Sequence, residues 1–466
     1  MSKYTFSGGI HPYDGKELSK DKPLKDVLPK GELVYPVSQH IGAPAKPVVA
    51  VGDEVKVGQL IAEAGGFVSA NIFATVSGKV KAIEPRRVPV GDMVNSIIVE
   101  NDGKYEEVEY PAPKPFEELT KEEIIAAVKN AGVVGMGGAG FPTHVKLSPK
   151  DPSKIEFVIA NCAECEPYLT SDYRRMVENP DLLIGGMKCV LKLFDNAKGI
   201  IAIEDNKPDV IESIGKMVAN EPRIEVYAMQ TKYPQGSERH LIYACTKRAI
   251  NSKMLPADAG CIVDNCDTLI AINAAVRENK PLMTRVVTVT GEAINDPRNF
   301  VVRCGTNYAE LIEEAGGFKV EPEAVISGGP MMGFSLFDLN VPVTKTSSAL
   351  LCMPKDPVKG LEATACINCG RCVEGCPEKL IPSMLATYAE HEDYEEFNRL
   401  FGVECIECGS CSYVCPAKRQ LCQAIKSMKR LSMNKARAEA AAAKAKAEAE
   451  AAKKAENEDT TEGGDK

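Results

Sequence analysis

Hydrophobic and polar residues alternate through much of the first hundred positions, and glycines interrupt the alternation at short intervals. The segments VGDEVKVGQLIAEAGG and NIFATVSGKVKAIE show this most clearly. Alternation with a period of two residues, broken by glycine turns, predicts short strands. We therefore expect residues 1–110 to form an all-β module.

Farther along, segments of helical periodicity alternate with short apolar runs. Thr120 and Glu123 form a capping box after the Pro-rich linker YPAPKPFEEL, which predicts the start of a helix. The predicted strands KIEFVIANC, KGIIAIED and RIEVYAMQ are separated by predicted helices. This order indicates a mostly parallel sheet covered by helices in residues 115–285.

Three further segments complete the predicted organisation. Residues 286–345 form a smaller mixed module, with a strand in RVVTVTGEA and a helix in NYAELIEEAGG that glycine ends. Residues 350–430 are helical and rich in cysteine. Residues 431–466 are mostly Ala, Lys and Glu and cannot bury a large apolar face, so a disordered or helical tail is expected. The predicted fold class is multidomain α+β.

The first module resembles the barrel-sandwich of lipoyl and biotinyl carriers. Such carriers expose a lysine at the tip of one hairpin. Ser69, Ala70 and Asn71 stand at the corresponding tip. We therefore predict a barrel-sandwich without a modified lysine, which serves as a scaffold.

Composition excludes several classes of function. The net charge of −9 argues against nucleic acid as the main partner. No stretch approaches the roughly 18 uncharged apolar residues that a bilayer-spanning helix needs, and the first twenty residues lack an apolar signal core. We expect a cytoplasmic protein that reaches the membrane only through partners.

The strongest chemical signal is a pair of cysteine runs among the 17 cysteines. Each run has the spacing C-x2-C-x2-C-x3-C-P, which is the bacterial ferredoxin pattern for a 4Fe-4S cluster. In two-cluster ferredoxins the fourth cysteine of each run binds the other cluster. One predicted ligand set is Cys366, Cys369, Cys372 and Cys415, and the other is Cys405, Cys408, Cys411 and Cys376. A zinc site would instead require two separated pairs of ligands.

The remaining cysteines carry weaker signals. Cys162 and Cys165 form a single C-x-x-C without a second pair nearby, and Cys261 and Cys266 are weaker still. Five others are predicted to be small buried hydrophobic residues, namely Cys189, Cys245, Cys304, Cys352 and Cys422.

A glycine box, GMGGAGFPTH, has the spacing of a dinucleotide-binding fingerprint at Gly135, Gly137 and Gly140. That fingerprint requires a strand before the box and a helix directly after it. Here the preceding segment KEEIIAAVKNAG is helical in pattern, and Phe141-Pro142 prevents a helix from starting at the last glycine. The box is therefore not predicted to be a Rossmann turn. Two interpretations remain: a cradle in which glycines approach a flat or anionic ligand, or a plain glycine-rich turn.

The box is similar to the FMN-binding stretch of the NADH-oxidising flavoprotein subunit of respiratory complex I, G-R-G-G-A-G-F-P-T-G-x-K. Met136 and His144 depart from that pattern. The segments NCAECEPYLTSDYRRM and VDNCDTLIAINAA resemble two further stretches of the same family, and CGTNYAELIEEAGG resembles its small β-grasp module. The matching positions are Gly135, Gly137, Gly138, Ala139, Gly140, Phe141, Pro142, Thr143, Lys146, Asn161, Glu164, Glu166, Pro167 and Asn265.

The two ferredoxin-type runs, the barrel-sandwich and the opening GGIHPYDGKELS instead resemble the C subunit of Rnf-type ion-translocating ferredoxin:NAD oxidoreductases, over residues 1–430. This resemblance implies a peripheral enzyme subunit on the cytoplasmic side of the membrane. Its implied cofactors are FMN and two 4Fe-4S clusters, with NAD(H) as substrate. Its implied partners are the other proteins of the complex, notably an iron–sulfur subunit that exchanges electrons with ferredoxin.

The resemblance also implies roles for single residues. Lys146 is expected to face the FMN phosphate, and Asn161 and Asn265 the flavin or its ribityl chain. Glu164 and Glu166 are expected to orient the nicotinamide or ribose. Tyr168 or Phe141 would supply an aromatic contact, and Glu238 part of the nucleotide pocket. Hydride transfer itself needs no catalytic acid or base, so none is predicted.

Two other functions remain open. One is the flavin and iron–sulfur cobalamin reductase of propanediol utilisation, which has similar motifs. The other is a flavin-free iron–sulfur electron carrier, in which the glycine box binds nothing. A non-catalytic scaffold role of the barrel-sandwich could coexist with any of these.

Overall fold

The structure is a computed structural model that describes residues 4–355 and 361–462, with side chains as far as residue 446. The chain divides into two compact units, residues 1–360 and 361–466. Three of the predicted segments (1–110, 350–430 and 431–466) include residues 1–3, 356–360 and 463–466, which lie outside the described residues.

The first module is built from short strands, as the alternating pattern predicts. A four-stranded antiparallel sheet with the order β2-β8-β7-β4 faces a three-stranded sheet with the order β3-β5-β6 around one apolar core. Valine, isoleucine and alanine at alternate positions fill this core. Its strands are β2 (Glu32–Pro36), β3 (Lys46–Pro47), β4 (Glu54–Val55), β5 (Leu60–Glu63), β6 (Ile72–Phe73), β7 (Gly78–Arg87) and β8 (Met93–Asn101), and they follow β1 (Lys25–Val27), which joins another sheet.

The second module is the predicted parallel sheet with its covering helices. Its strand order is β11-β10-β9-β12, and all pairs are parallel. Helices α1, α4, α5 and α7 pack on one face and α6 on the other. The elements are α1 (Lys121–Asn130), α2 (Thr143–Lys146), β9 (Phe157–Cys162), α3 (Ser171–Glu178), α4 (Pro180–Leu191), β10 (Lys198–Glu204), α5 (Pro208–Met217), β11 (Ile224–Met229), α6 (Glu238–Thr246), β12 (Cys261–Asn265) and α7 (Cys266–Glu278).

The predicted capping box begins α1. The Thr120 hydroxyl accepts a hydrogen bond from the Glu123 backbone N–H, and the Glu123 carboxylate accepts one from the Thr120 N–H. Ile124 and Val128 of α1 are fully buried.

The third module is a six-stranded mixed sheet with the order β1-β14-β13-β17-β15-β16. Strand β1 comes from the N-terminal part of the chain and pairs in parallel with β14, so this segment contributes a strand to the third module. Asn307 caps the single helix. The elements are β13 (Thr284–Thr290), β14 (Arg298–Arg303), α8 (Tyr308–Glu314), β15 (Ala324–Ser327), β16 (Phe334–Ser335) and β17 (Ala349–Met353).

The residues before β1 form an extended arm that crosses the second module. Tyr4 bridges to Met229 at the end of β11, and Ile10 pairs with Tyr233. Farther along the arm, the Asp14 carbonyl accepts a hydrogen bond from the Tyr168 N–H at 2.6 Å. The arm therefore contacts the edge of the sheet where the parallel strands end.

The second unit is helical, as predicted, but the predicted helical segment begins too early, because residues 350–353 belong to strand β17 of the third sheet. Leu385, Phe397, Leu421 and Ile425 form the centre of its own small core. The helices are α9 (Arg371–Glu374), α10 (Pro382–Glu390), α11 (Tyr394–Arg399), α12 (Ser410–Tyr413) and α13 (Leu421–Glu462). The last helix contains the described part of the predicted tail, for which the sequence allows either disorder or helix. Short 3-10 helices in the two units lie at Lys16–Leu18, Phe116–Glu118, Pro152–Lys154, Pro256–Ala259 and Gly402–Glu404.

Candidate functional site

The glycine box forms a turn between two helices. Helix α1 ends at Asn130 before the box, and the four-residue helix α2 comes after it. The Gly135 N–H donates to the Phe141 carbonyl at 2.8 Å, and a bridge between Val134 and Pro142 closes the turn. A helix precedes the box, as the sequence predicts, so its context is not that of a Rossmann turn.

The tip of this turn is open to solvent. Gly137, Gly138 and Ala139 are exposed, and Gly137 and Gly140 have φ values of 84° and 71°. No backbone N–H of residues 137–140 forms a hydrogen bond of ordinary geometry within the described chain. A side-chain carbon added at Gly138 would meet no described atom within 4 Å. The turn therefore offers N–H donors to a ligand from outside, which is how backbone concavities bind anions.

Two predicted asparagines lie side by side beneath the turn. Strands β9 and β12 are parallel neighbours, and their register pairs Asn161 with Asn265. The Asn265 amide caps α7 through the Asp267 N–H and donates to Asp172 at 2.7 Å. An ideal Cβ on Gly137 would lie 3.4 Å from the Asn265 amide nitrogen. The carboxyl ends of the parallel strands thus meet the glycine turn, where ligands of open α/β sheets bind.

Asn161 is held in place by a second loop of the same edge. Its amide nitrogen donates to the Gly236 carbonyl at 2.8 Å, and its amide oxygen accepts the Ala163 N–H. The Gly236 N–H in turn points to the Cys165 sulfur at 3.2 Å. The loop before α6, which carries Glu238, is therefore attached directly to the end of β9.

Lys146 lies at the same edge with a buried carboxylate beside it. Its ammonium group donates to the Val263 carbonyl at 2.6 Å and to Asp264 at 3.0 Å. Burial opposes its charge, but the carboxylates of Asp264 and Glu238 outweigh burial and raise the pKa of Lys146. One of its three N–H donors remains for a ligand.

Glu164 is buried beside a lysine of the N-terminal arm. Its Oε1 atom accepts the Asp172 N–H at 2.8 Å, and its Oε2 atom lies 3.9 Å from the Lys16 ammonium group. Burial raises the pKa of Glu164 to about 7, against the opposing attraction of Lys16. Lys16 also donates to the carbonyls of Glu166 and Leu169.

Glu166 connects the second and third modules. Its Oε1 atom accepts the backbone N–H groups of Met331 at 2.7 Å and Met332 at 3.1 Å, in the loop between β15 and β16. Burial raises the pKa of Glu166, and these two hydrogen bonds oppose the shift. Glu238, by contrast, is exposed at the first position of α6.

The two predicted aromatic contacts lie in different surroundings. Phe141 is half-buried and closes the glycine turn. Tyr168 is buried with φ of 68°, packs against Gly15 and Tyr13 of the arm, and donates to Glu292 at 2.7 Å. Phe141 thus lies at the glycine turn, whereas the Tyr168 ring packs against the N-terminal arm.

Several buried polar atoms at this edge have no hydrogen-bond partner in the described chain. They are both side-chain polar atoms of Gln235, Oε2 of Glu164, Oε1 of Glu204 and Oδ2 of Asp264. Leaving such atoms unpaired costs about 1–3 kcal/mol each, so a ligand or water that pairs them stabilises the site. Sequence reasoning missed Lys16, Glu204 and Gln235, because only contacts between distant segments identify them.

The barrel-sandwich also contacts the glycine turn. The loop between β5 and β6, where a carrier would expose its lysine, places the Phe67 carbonyl 3.3 Å from the His144 ring. Lys345, which is buried, donates to the carbonyls of both Asn71 in this loop and Gly132 before the turn. The hairpin tip without a lysine is therefore a support for the turn.

In the second unit, one cavity is lined by a predicted ligand set. Its thiols are Cys376, Cys405, Cys408 and Cys411, together with Cys422, and apolar residues such as Leu385 and Ile425 form the rest of the wall. Within the described residues no three His, Cys, Asp or Glu side chains converge to hold a metal ion. The thiols therefore line the wall of the cavity and do not converge on a single metal position.

The second predicted set is more exposed. Cys366 and Cys369 are exposed, Cys415 is half-buried and Cys372 is buried. Cys366 and Cys369 precede α9, and Cys372 lies within it. The side chain of Cys366 lies 3.6 Å from the Asn368 amide oxygen.

Comparison with known families agrees with this order of modules. The RnfC barrel sandwich hybrid domain matches residues 4–104, and the Nuo51 FMN-binding domain matches residues 128–274. The SLBB domain matches residues 286–335, and the 4Fe-4S dicluster domain matches residues 365–420. None of the helices in the described part of the chain combines the length and apolar character needed to cross a bilayer.

Individual proteins are similar over nearly the whole chain. The C subunit of the proton-translocating ferredoxin:NAD(+) oxidoreductase complex of Clostridium ljungdahlii is 45% identical over 91% of this chain and 93% of its own length. The C subunit of the Na(+)-translocating complex of Acetobacterium woodii is 44% identical over 91% and 96%. The C subunit of the ion-translocating oxidoreductase complex of Rhodobacter capsulatus is 38% identical over 85% and 77%. The chain belongs to the family of C subunits of ion-translocating ferredoxin:NAD(+) oxidoreductase complexes.

Proposed function

We propose that this chain oxidises NADH and reduces NAD⁺ within such a complex, through FMN at the glycine turn and two 4Fe-4S clusters in the second unit. One observation carries the proposal. A turn with unpaired backbone N–H groups lies against Asn161 and Asn265 at the carboxyl edge of a parallel sheet. This arrangement suits a ligand with an anionic end and a flat polar end.

The residues at the edge fit FMN. The N–H groups of residues 137–140 suit the phosphate. The ammonium group of Lys146 adds a positive charge and one N–H donor that Val263 and Asp264 do not use. The amides of Asn161 and Asn265 are fixed by their own hydrogen bonds and suit the ribityl chain or the ring edge. Gln235 and Glu164 supply further polar atoms that lack partners in the described chain.

NAD(H) is the proposed substrate. A bound flavin supplies the conversion between two-electron transfer with nicotinamide and one-electron transfer with iron–sulfur clusters. The protein residues orient the nucleotide: Glu164 and Glu166 are fixed by backbone N–H groups, and Glu238 is exposed at the start of α6. Phe141 supplies an apolar surface at the turn. We assign no residue to proton transfer.

The second unit is proposed to carry both clusters. Cys405, Cys408, Cys411 and Cys376 would bind one cluster, since all four line one cavity. Cys366, Cys369, Cys372 and Cys415 would bind the other. A cluster site must exclude water as well as supply four thiolates, and the apolar residues around the first set are suited to exclude water.

The proposed partners follow from the need of the clusters to exchange electrons with another protein. Electrons leaving the clusters need an acceptor, and we propose an iron–sulfur subunit of the complex that exchanges electrons with ferredoxin. The chain would lie on the cytoplasmic side of the membrane as a peripheral subunit, where NAD(H) is present. Ion translocation would take place in other subunits.

The decisive experiment is anaerobic purification of the full chain, followed by assays of FMN, iron, sulfide and NADH:ferricyanide activity. We expect bound FMN, about eight irons per chain from two cubane clusters, and NADH-dependent reduction of the flavin. Intact clusters without flavin would contradict the proposal and support the electron carrier. NADH-dependent reduction of cobalamin, without co-purification of membrane subunits, would support the cobalamin reductase.

A further inference from the structure

The N-terminal arm buries one lysine at the carboxyl edge of the parallel sheet. Lys16 belongs to the opening segment GGIHPYDGKELS and is only 7% exposed. Its ammonium group donates to the carbonyls of Glu166 at 3.0 Å and Leu169 at 2.5 Å. A single side chain of the arm therefore holds the loop after β9 at two points.

Contacts on both sides of Lys16 hold the arm in place. The Asp14 carbonyl accepts the Tyr168 N–H at 2.6 Å, and the hydroxyls of Ser19 and Thr170 lie 2.7 Å apart in a buried contact. The backbone that carries Lys16 is thus attached to the loop after β9 before and after this residue. The position of the ammonium group is fixed by these neighbours.

The same ammonium group faces a buried carboxylate. It lies 3.9 Å from Oε2 of Glu164, and the two side chains are 9% and 3% exposed. This distance is too long for a hydrogen bond, and Oε2 has no hydrogen-bond partner within the described chain. An opposite charge so near still favours the ionised carboxylate. Oε2 is therefore a charged acceptor that a ligand can use.

Two hydrogen bonds connect Glu164 to the glycine turn. Its Oε1 atom accepts the Asp172 N–H at 2.8 Å, and the Asp172 carboxylate accepts the Asn265 amide at 2.7 Å. The nitrogen of that amide would lie 3.4 Å from an ideal Cβ on Gly137. Glu164 thus belongs to the edge of the sheet where the nucleotide is proposed to bind.

Several charged groups act on the Lys16–Glu164 pair. Burial raises the pKa of Glu164 to about 7; Lys16 and Lys207 oppose this shift, and Asp172 adds to it. Burial lowers the pKa of Lys16, against the attraction of Glu164 and Glu204. The two carbonyls that Lys16 contacts also favour its ammonium form. The titratable groups of the surrounding elements are Asp172 of α3, Glu204 of β10, Lys207 before α5, and Cys165 and Glu166 of the loop after β9.

We propose that Lys16 is a positioning residue for NAD(H), because it fixes the loop after β9 and supplies the positive charge that keeps the Glu164 carboxylate ionised. The inference rests on the proposed function, in which Glu164 orients the nucleotide. Ribose hydroxyls and the nicotinamide carboxamide are hydrogen-bond donors. An ionised carboxylate accepts from them with both oxygens, whereas a protonated one carries a donor of its own. Lys16 therefore strengthens nucleotide binding at neutral pH without contacting the nucleotide.

The test is the pH profile of NADH:ferricyanide activity of the full, FMN-loaded chain between about pH 6 and pH 9. The value of kcat/KM reports ionisations of the free enzyme. Lys16→Met removes the charge, and we expect the acid limb of kcat/KM to move up by about one pH unit. The KM for NADH should then rise about fivefold at pH 7 and change little at pH 9, with kcat unchanged.

Two controls separate the charge of Lys16 from a general loss of structure. Lys20→Met, at an exposed position of the same arm, should leave the profile unchanged. In the Glu164→Gln background, Lys16→Met should cause no shift, because the titrating group is absent. Damage to the fold alone would lower kcat/KM at every pH and in both backgrounds.

The same shift is measurable without cofactor, by urea unfolding of the flavin-free protein. The stability that protonated Glu164 contributes is lost as pH rises through its folded pKa. In Lys16→Met this loss should occur at a pH about one unit higher than in the unsubstituted protein. Lys20→Met should show no such displacement.

Three results would overturn the inference. The first is a folded Lys16→Met variant with an unchanged acid limb. The second is an acid limb that persists in Glu164→Gln, since another group would then titrate. The third is loss of fold in both Lys16→Met and Lys16→Gln, which would make Lys16 a structural residue only. If Lys16→Met alone fails to fold, the pH profile of Lys16→Gln, which is neutral and keeps an amide donor, decides in the same way. Absence of NADH oxidation by the unsubstituted, FMN-loaded chain would instead contradict the proposed function.

Discussion

The glycines of the glycine turn differ in which atoms an added side chain would contact. At Gly138 a Cβ would meet no described atom within 4 Å, whereas at Gly140 it would lie 2.8 Å from Thr346 and φ is 71°. A larger residue at Gly140 therefore strains the chain itself. At Gly138 the added atoms enter the space that the ligand would use.

Gly138→Val is therefore the sharper test of the flavin site. We expect FMN affinity to fall by about 10- to 100-fold, since added methyl groups in a fitted contact cost about 1–3 kcal/mol. Both clusters and the thermal stability of the flavin-free protein should be unchanged. The measurements are FMN titration by fluorescence, iron content and calorimetry, and unchanged FMN affinity would contradict the assignment. Gly215→Val, in α5, where an added Cβ would also meet no described atom within 4 Å, is a control for an added side chain.

Glu164 predicts a pH dependence of stability. Its pKa is raised to about 7 in the folded chain, chiefly by burial. Between the unfolded value of about 4.3 and about 7, the folded state holds a proton that the unfolded state has released. Stability from this group is therefore present at low pH and is lost as pH rises through 7, by about 3 kcal/mol.

Glu164→Gln should remove this dependence. In flavin-free protein we expect the variant to be about 3 kcal/mol more stable than the unsubstituted chain at pH 8 and only about 1 kcal/mol more stable at pH 5. Urea unfolding at the two pH values measures the difference. Glu212→Gln, at an exposed position of α5, is the control. If the two proteins differ in free energy of unfolding by the same amount at both pH values, burial does not raise the pKa of Glu164.

At the scale of elements, the sequence predicts correctly the helices and strands that local patterns determine. The capping box of α1, strands β9, β10 and β11 and the helix before the glycine box all follow from periodicity and caps. Contacts between distant elements are not predicted in this way. Strand β1 joins the third sheet and Lys16 reaches Glu164, and no local signal in the N-terminal segment encodes either contact.

The site shows the same division. The register of β9 and β12 brings Asn161 and Asn265 together, and the resemblance to flavoproteins selects both residues from sequence. Gln235 and Glu204 are not identified, because a buried glutamine or glutamate cannot be told from an exposed one by sequence alone. Tyr168 matches no position of the family pattern, and packing against the arm directs its ring elsewhere.

We predict that the barrel-sandwich supports the glycine turn through Lys345. Its two hydrogen bonds join the hairpin at Asn71 to Gly132, and each charged hydrogen bond is worth about 1.5–3 kcal/mol. We expect Lys345→Met to weaken FMN binding about tenfold while circular dichroism shows a folded chain. Lys216→Met, at an exposed position of α5, is the control. Equal FMN affinity in both variants would show that the turn needs no such support.

On the scale of the whole molecule, the two units have separate apolar cores. The glycine turn lies in one unit and all eight predicted cluster ligands lie in the other. Each unit should therefore keep its fold when the cofactor of the other is removed. The family pattern predicts this division, because the ferredoxin-type runs begin after the last strand of the third module.

Removal of iron tests this independence. Treatment with an iron chelator under oxidising conditions should strip the clusters and leave FMN bound. NADH:ferricyanide activity that passes through the flavin alone should persist, while electron transfer to an iron–sulfur partner should be lost. Iron and FMN are measured in the same sample, and Gly138→Val provides the reciprocal case. Release of FMN in step with iron would contradict separate sites.

The hairpin tip that lacks a carrier lysine has a mechanical consequence. In a carrier, the tip holds a prosthetic group that swings between distant sites. Here the tip is tied to the glycine turn through Lys345, Asn71 and His144. A displacement of the barrel-sandwich must either carry the turn with it or break these bonds. The position of the turn is therefore coupled to that of the barrel-sandwich through these hydrogen bonds.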